Sequence, residues 1–144
     1  RIEKGYRHWG HDITDEDTPI EAGLGLAVKF SKETHFNGRE RLLRQKESGV
    51  SKRLVTFALE DANRMLYHNE PICRDGEIVG HITSGMFGHT IGAAIGMGYV
   101  NNEEGVSADY VSAGNYELEV SGERVPARAT LRPLYDPKNE RIKS

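Results

Sequence analysis

The sequence predicts a mainly β fold, a small antiparallel barrel or sandwich behind an α+β N-terminal segment, and three observations carry that expectation. Apolar residues alternate with polar or small ones in three separate runs: Val55, Phe57 and Leu59; Tyr116, Leu118 and Val120; Val125, Ala127, Ala129 and Leu131. Period two is the signature of half-buried strands. Asp75-Gly76 and Ser121-Gly122 sit between apolar runs, where two-residue hairpin turns require positive φ. Glycine supplies 16 of 144 residues, about 11% against an average of about 7%, with no glycine-rich linker. Glycines scattered among apolar residues mark tight turns and close backbone approaches, a habit of small barrels.

Taken in order, Arg1 to Tyr6 reads as the last turn of a helix that stops at Gly5. Its beginning is expected upstream of Arg1, so the chain is read as the C-terminal piece of a longer protein. Gly23 to Phe30 reads as a strand ended by the polar turn Ser31 to Thr34. Asn37 followed by Glu40 resembles a capping box, Arg39 to Ser48 is rich in helix formers, and Gly49 suits the left-handed position after a helix. Phe36, Leu42 and Leu43 are expected to form that helix's buried side. Gly49, Ser51 and Lys52 separate two patterns, which divides the chain into residues 1–51 and a β domain over 52–144. Gly88, Gly92 and Gly96 are expected to let strands or a loop approach closely inside the barrel.

Composition excludes several classes. With 37% hydrophobic and 28% charged residues, the chain can build a core, which argues against disorder. A net charge of -3 and a pI near 6.1 offer no general attraction to nucleic acid or anionic membrane. No apolar run reaches the roughly 18 residues that span a bilayer. Cys73 stands alone, which excludes an internal disulfide and a multi-thiolate zinc site; it reads as a small buried hydrophobe. Gly23-Leu24-Gly25 precedes a predicted strand rather than following one, and Val28 stands where a third small residue belongs, so the dinucleotide fingerprint fails. There is no P-loop and no Gly-x-Ser-x-Gly elbow. His8 and His11 beside Asp12 have the spacing of two metal ligands but no third, and are read as ordinary histidines, with no metal expected. Asp15, Glu16 and Asp17 are read as a solvated turn.

One stretch goes further. Arg1-Ile2-Glu3-Lys4-Gly5-Tyr6-Arg7-His8-Trp9-Gly10-His11-Asp12, then Thr18-Pro19-Ile20-Glu21-Ala22-Gly23-Leu24-Gly25, resembles the folate-binding aminomethyltransferase (glycine-cleavage T-protein) family. Phe36 to Leu43, Thr83-Ser84-Gly85 and Val125-Pro126-Ala127 keep the family's order. Trp9-Gly10-His11-Asp12, His89 after Thr83-Ser84-Gly85-Met86-Phe87-Gly88, and Pro133-Leu134-Tyr135-Asp136-Pro137 are closer in type to the folate-binding C-terminal region of dimethylglycine and sarcosine dehydrogenases.

The resemblance implies that residues 1–51 end a central α/β folate-binding domain and that 52–144 form the family's C-terminal β-barrel. It implies tetrahydrofolate as cofactor, FAD in a missing N-terminal part, and a parent enzyme that oxidises an N-methyl amine to an iminium whose one-carbon unit tetrahydrofolate captures. The product would be 5,10-methylenetetrahydrofolate. Expected partners are a folate, a methylated glycine and the upstream domains; expected compartments are bacterial cytoplasm or mitochondrial matrix. The family's catalytic aspartate and flavin-binding region have no counterpart here, so no catalytic residue is assigned and the isolated chain is expected to be inactive. Arg1 is the leading folate contact, because a guanidinium presents a planar fork to carboxylates or carbonyls. Tyr6 and Trp9 are expected to wall the slot by stacking, Glu3 to orient Arg1, and Tyr135 to close the site from the barrel. A stand-alone aminomethyltransferase of glycine cleavage and a noncatalytic folate-binding or assembly module are the alternatives.

Overall fold

Six antiparallel strands close into a barrel in the computed structural model, which describes residues 1–141 and 143. They are β1 (Lys52–Leu59), β2 (Pro71–Arg74), β3 (Glu77–Gly88), β4 (Ala93–Asn101), β5 (Tyr116–Val120) and β6 (Glu123–Thr130). Their order is β1-β4-β3-β2-β5-β6, with β6 returning to β1. Closure leaves the sheet no free edge for a further strand. Asp75-Gly76 (φ 51° and 93°) and Ser121-Gly122 (φ 53° and 80°) turn the β2–β3 and β5–β6 hairpins with both residues at positive φ, as the sequence predicts.

The two covered faces of β1 and β4 explain their burial. Both strands are buried at consecutive positions, Leu54 to Leu59 and Ala94 to Gly98, although their side chains alternate in direction. Val55, Phe57 and Leu59 join Leu66, Ile72, Ile82 and Leu118 inside the barrel. Leu54, Ile95 and Met97 point outward and pack with Ile2 from the N-terminal segment. Burying Ile2 there is worth about 1.5–3 kcal/mol. The 60–70 loop crosses β3 at Gly85, where an added Cβ would overlap the backbone carbonyl of the fully buried Leu66.

The N-terminal segment departs from the sequence reading in two places. Residues 23–30 form no strand: Gly23 takes φ 69°, and Gly25–Ala27 make a short 3-10 turn with Leu26 93% exposed. Repeated backbone bonds back along the chain, Ala22 N–H to Thr18 O and Ala27 N–H to Leu24 O, hold it folded on itself. The capping box also fails. α1 (Arg39–Ser48) is present, but Gly38 takes the cap position at φ 84° and no side chain caps it. Gly49 follows α1 at φ 83° with an extended ψ, Leu42 is buried, and Phe36 and Leu43 are half-buried. The opening helical residues are one 3-10 turn, Ile2–Lys4, closed by Gly5 at φ 66°. The sequence reading also missed α2 (Ala108–Ala113), whose first turn is capped by Ser107 Oγ accepting from the Tyr110 N–H at 3.0 Å. Cys73 is fully buried in β2, and burial pushes its thiol up, as befits a packing residue.

Asp17 is not a solvated acid. Its carboxylate accepts from Lys52 Nζ at 2.7 Å and from the Thr14 N–H at 2.8 Å, and Lys52 lies 4.9 Å from the Tyr99 ring centroid. Burial opposes its ionisation, but the Lys52 and Thr14 hydrogen bonds outweigh burial, so Asp17 lies below the usual aspartate range. A carboxylate depressed in the folded state adds stability above its unfolded pKa of about 3.9, and that stability fades as pH falls through the folded value. Lys52→Met is expected to cost about 0.5–1 kcal/mol at neutral pH by urea denaturation. The gap from wild type should close as pH falls through the depressed folded value of Asp17; a gap that ignored pH would contradict this reading of the pair.

Candidate functional site

The site grows from Asp12. The His8–Asp12 turn is closed by Asp12 N–H to His8 O at 2.9 Å, and Gly10 N–H reaches Ile13 O at 2.9 Å. This folding returns the Asp12 side chain to its own turn, where Oδ2 accepts from the His8 N–H at 2.8 Å. Asp12 is 0% exposed. An isolated buried carboxylate would cost several kcal/mol, so its partners must be complete. Arg1 Nη1 donates to Oδ2 at 2.9 Å and Thr83 Oγ1 donates to Oδ1 at 2.6 Å. The backbone oxygen of Asp12 accepts from Tyr99 Oη at 2.9 Å. Burial, reinforced by Asp17, pushes the Tyr99 hydroxyl well above the usual tyrosine range, so it remains a donor.

The barrel supplies Thr83 through a defect in its ladder. The β3–β4 register shifts between Ile82 and Ser84, leaving Thr83 as the extra residue of a bulge. Bulges re-aim side chains. Here Thr83 meets Asp12, and Ser84 Oγ accepts from Arg1 Nη2 at 3.0 Å. Arg1 Nη1 also donates to Tyr6 O at 2.9 Å. Three of the five guanidinium hydrogens are thus committed among the described residues, and two remain. Arg1 opens on a cleft of about 240 Å³ shared with His8, His11, Tyr67 and His68. The His8 and His11 rings stack, centroids 4.6 Å apart.

The other expected site residues surround the same N-terminal turn. Tyr6 and Trp9, 55% and 68% exposed, line a second cleft of about 430 Å³ with Arg7, Ile13 and Leu24, which shares no lining residue with the cleft at Arg1. Arg7 is anchored on backbone oxygens, donating to Ala22 O at 2.9 Å and Gly5 O at 2.5 Å. Glu3 does not serve as the orienter of Arg1. Its Oε1 accepts from the Thr90 and Ile91 N–H groups at 2.7 and 3.1 Å, so it fastens the 3-10 turn to the β3–β4 connection. Burial opposes Glu3 ionisation, and those two amides more than offset it, leaving its carboxyl below the usual range. Asp12 takes the orienting role. Tyr135 N–H bonds Glu3 O at 3.0 Å, its hydroxyl accepts from Arg141 at 3.0 Å, and Lys4 lies 5.9 Å from its ring centroid. Sequence reasoning missed Asp12 and Thr83 as builders of the site; the only signals were Asp12 beside His11 and the Thr83-Ser84-Gly85 motif.

Thr83→Val removes a donor from a fully buried carboxylate and is expected to cost about 1–3 kcal/mol. Ser84→Ala removes an acceptor from a guanidinium that solvent also reaches, and is expected to cost less than about 1 kcal/mol. Urea midpoints of the two variants check the ordering; equal losses would contradict it.

Comparison with known proteins accords with this architecture. Residues 52–136 match the glycine cleavage T-protein C-terminal barrel domain, and residues 1–32 match the GCVT N-terminal domain. Mitochondrial sarcosine dehydrogenase of Homo sapiens is 42% identical over 144 residues, covering 99% of this chain and 16% of that protein. The mitochondrial pyruvate dehydrogenase phosphatase regulatory subunit of Mus musculus is 38% identical over 145 residues, covering 93% of this chain and 16% of that protein. The crystal structure of glycine cleavage system aminomethyltransferase T from Bartonella henselae superposes with a TM-score of 0.78 at 25% identity, covering 95% of this chain and 37% of that one. The chain thus spans about a sixth of the two curated relatives and little more than a third of the solved structure. Because the barrel-domain match alone covers more than half of the residues, the chain belongs to the glycine cleavage T-protein family.

Proposed function

We propose that this chain is the tetrahydrofolate-binding C-terminal portion of a flavin-dependent dehydrogenase of an N-methyl amine, sarcosine or dimethylglycine. In this reading residues 1–51 end the central folate-binding domain, 52–144 form the barrel behind it, and the flavin belongs to a segment outside this chain. The Arg1 guanidinium carries the reading. It is pinned by a fully buried carboxylate, two of its N–H donors have no partner among the described residues, and the residue lines a cleft. That is the arrangement a planar, carbonyl- and carboxylate-bearing ligand requires.

The residues present fit tetrahydrofolate in kind. Arg1 offers a fixed fork at one cleft, Tyr6 and Trp9 offer exposed aromatic side chains at another, and Tyr135 offers a hydroxyl held by Arg141. Tetrahydrofolate, when bound, supplies the nitrogen nucleophiles that accept the one-carbon unit. Arg1 would orient the ligand's polar edge, Asp12 and Ser84 would fix the plane of Arg1, and the two rings would exclude water from one ligand face. The partners are then a folate, a methylated glycine and the upstream domains of the same chain, in a mitochondrial or bacterial compartment, with neither nucleic acid nor membrane engaged.

Two observations favour other readings. The likeness to an aminomethyltransferase structure fits a T-protein acting in glycine cleavage, and the likeness to a phosphatase regulatory subunit fits a noncatalytic module. Arg1→Lys in the full-length protein decides among them, since lysine keeps the charge beside Asp12 and loses the fork. The leading reading expects tetrahydrofolate affinity to fall by roughly tenfold or more, while dye-coupled oxidation of the methylated amine is retained. Loss of folate affinity in a protein with no amine oxidation favours the aminomethyltransferase. Unchanged folate affinity and turnover favour the noncatalytic module.

A further inference from the structure

Residues 29–46 carry six cations, Lys29, Lys32, Arg39, Arg41, Arg44 and Lys46, against Glu33 and Glu40, a net of +4 in a chain whose net charge is -3. Among the described residues none of the six forms a salt bridge with a carboxylate, whereas Lys4, Lys52, Arg64 and Arg74 each do. Three of them, Lys29, Lys32 and Arg41, line a cleft of about 510 Å³ beside the start of α1. Ala27, Val28, Phe36 and Leu42 give the cleft an apolar lining. Its single acid, Asp17, is already neutralised by Lys52 at 2.7 Å.

The rim is held in place from behind. Arg39 Nη2 donates to Phe30 O at 3.1 Å, and Lys46 lies 5.0 Å from the Phe30 ring centroid. Like charges gathered in excess of their counter-charges repel, and a concave wall focuses their field on whatever enters. The volume lies in the range of small-molecule sites, roughly 300–1,000 Å³. No residue lining this cleft lines the clefts at Arg1 or at Tyr6 and Trp9.

We propose that this cleft binds a small amphipathic polyanion, with two or more phosphate or carboxylate charges answered by Lys29, Lys32 and Arg41 and an apolar body seated against Val28, Phe36 and Leu42. The site is separate from the folate-binding surface and does not rest on that assignment. Charge supplies attraction and the apolar lining selects against simple ions.

Fluorescence anisotropy on the full-length protein, with methylanthraniloyl-ADP and dansyl-triglutamate as probes, tests it. At low salt at least one probe is expected to bind, and which of them binds separates phosphate from carboxylate recognition. The triple variant Lys29→Gln, Lys32→Gln, Arg41→Gln is expected to weaken binding by roughly tenfold or more, as is raising the salt tenfold. The charge-preserving variant Lys29→Arg, Lys32→Arg, Arg41→Lys should bind within about threefold of wild type, which separates lost charge from lost folding. Inorganic pyrophosphate should compete at least about tenfold less well than the bound probe, because it lacks an apolar body. The proposal is overturned if neither probe binds, if the glutamine variant binds like wild type, or if pyrophosphate competes equally well.

Discussion

A carboxylate withdrawn wholly from water organises this molecule. Asp12 lies 0% exposed between the N-terminal segment and the barrel, and each partner it gathers comes from a different part of the fold. His8 belongs to its own turn, Arg1 to the 3-10 turn, Thr83 to the bulge of β3, and Tyr99 to β4. Removing any one leaves a buried polar group short of a bond, which is why such networks fix one arrangement rather than several. Ile2 packing on Leu54, Ile95 and Met97 supplies the apolar half of the same junction, and the Glu3 carboxylate fastens it at the β3–β4 connection.

The geometry of Arg1 follows from that burial. A lone surface arginine samples many rotamers, and exposed ion pairs hold it weakly. Here the guanidinium is held by Asp12, Tyr6 and Ser84, so the N-terminal turn and the barrel together position a residue that lines the cleft. The bulge at Thr83 is therefore part of the site even though it lies on a structural strand. The segment contributes the guanidinium together with the Asp12 carboxylate and Tyr6 carbonyl that hold it, and the barrel contributes Ser84 directly and Thr83 through Asp12.

The barrel was the most legible part. Its strands β5 and β6 are buried on one face only, so alternation in Tyr116 to Val120 and Val125 to Ala129 survives in the sequence, and the two hairpins announce themselves through Asp75-Gly76 and Ser121-Gly122. The fold class followed from these patterns; the family likeness rested instead on the motifs at Arg1 to Asp12, Thr18 to Gly25 and Thr83 to Gly85. The segment at 23–30 misled because Gly23, Leu24 and Val28 read as apolar strand residues, while the closed sheet has no edge to receive them. Asn37 could not cap α1, because Gly38 entered at positive φ and took that position. The site was half legible. Arg1 stood out through its motif, but Asp12, Thr83 and the true employment of Glu3 depend on contacts between residues more than 70 positions apart, which periodicity and spacing do not encode.

The Asp12 carboxylate clamps the N-terminal segment to the barrel. Amide hydrogen exchange in Asp12→Asn tests it directly, because the asparagine side chain keeps the shape and loses the charge. The amides of His8, Gly10 and position 12 are expected to lose roughly tenfold or more of their protection, while the β3–β4 ladder from Gly85 to Gly96 keeps its wild-type protection. Undiminished protection at His8 and Gly10, or loss of the β3–β4 ladder together with them, would contradict it.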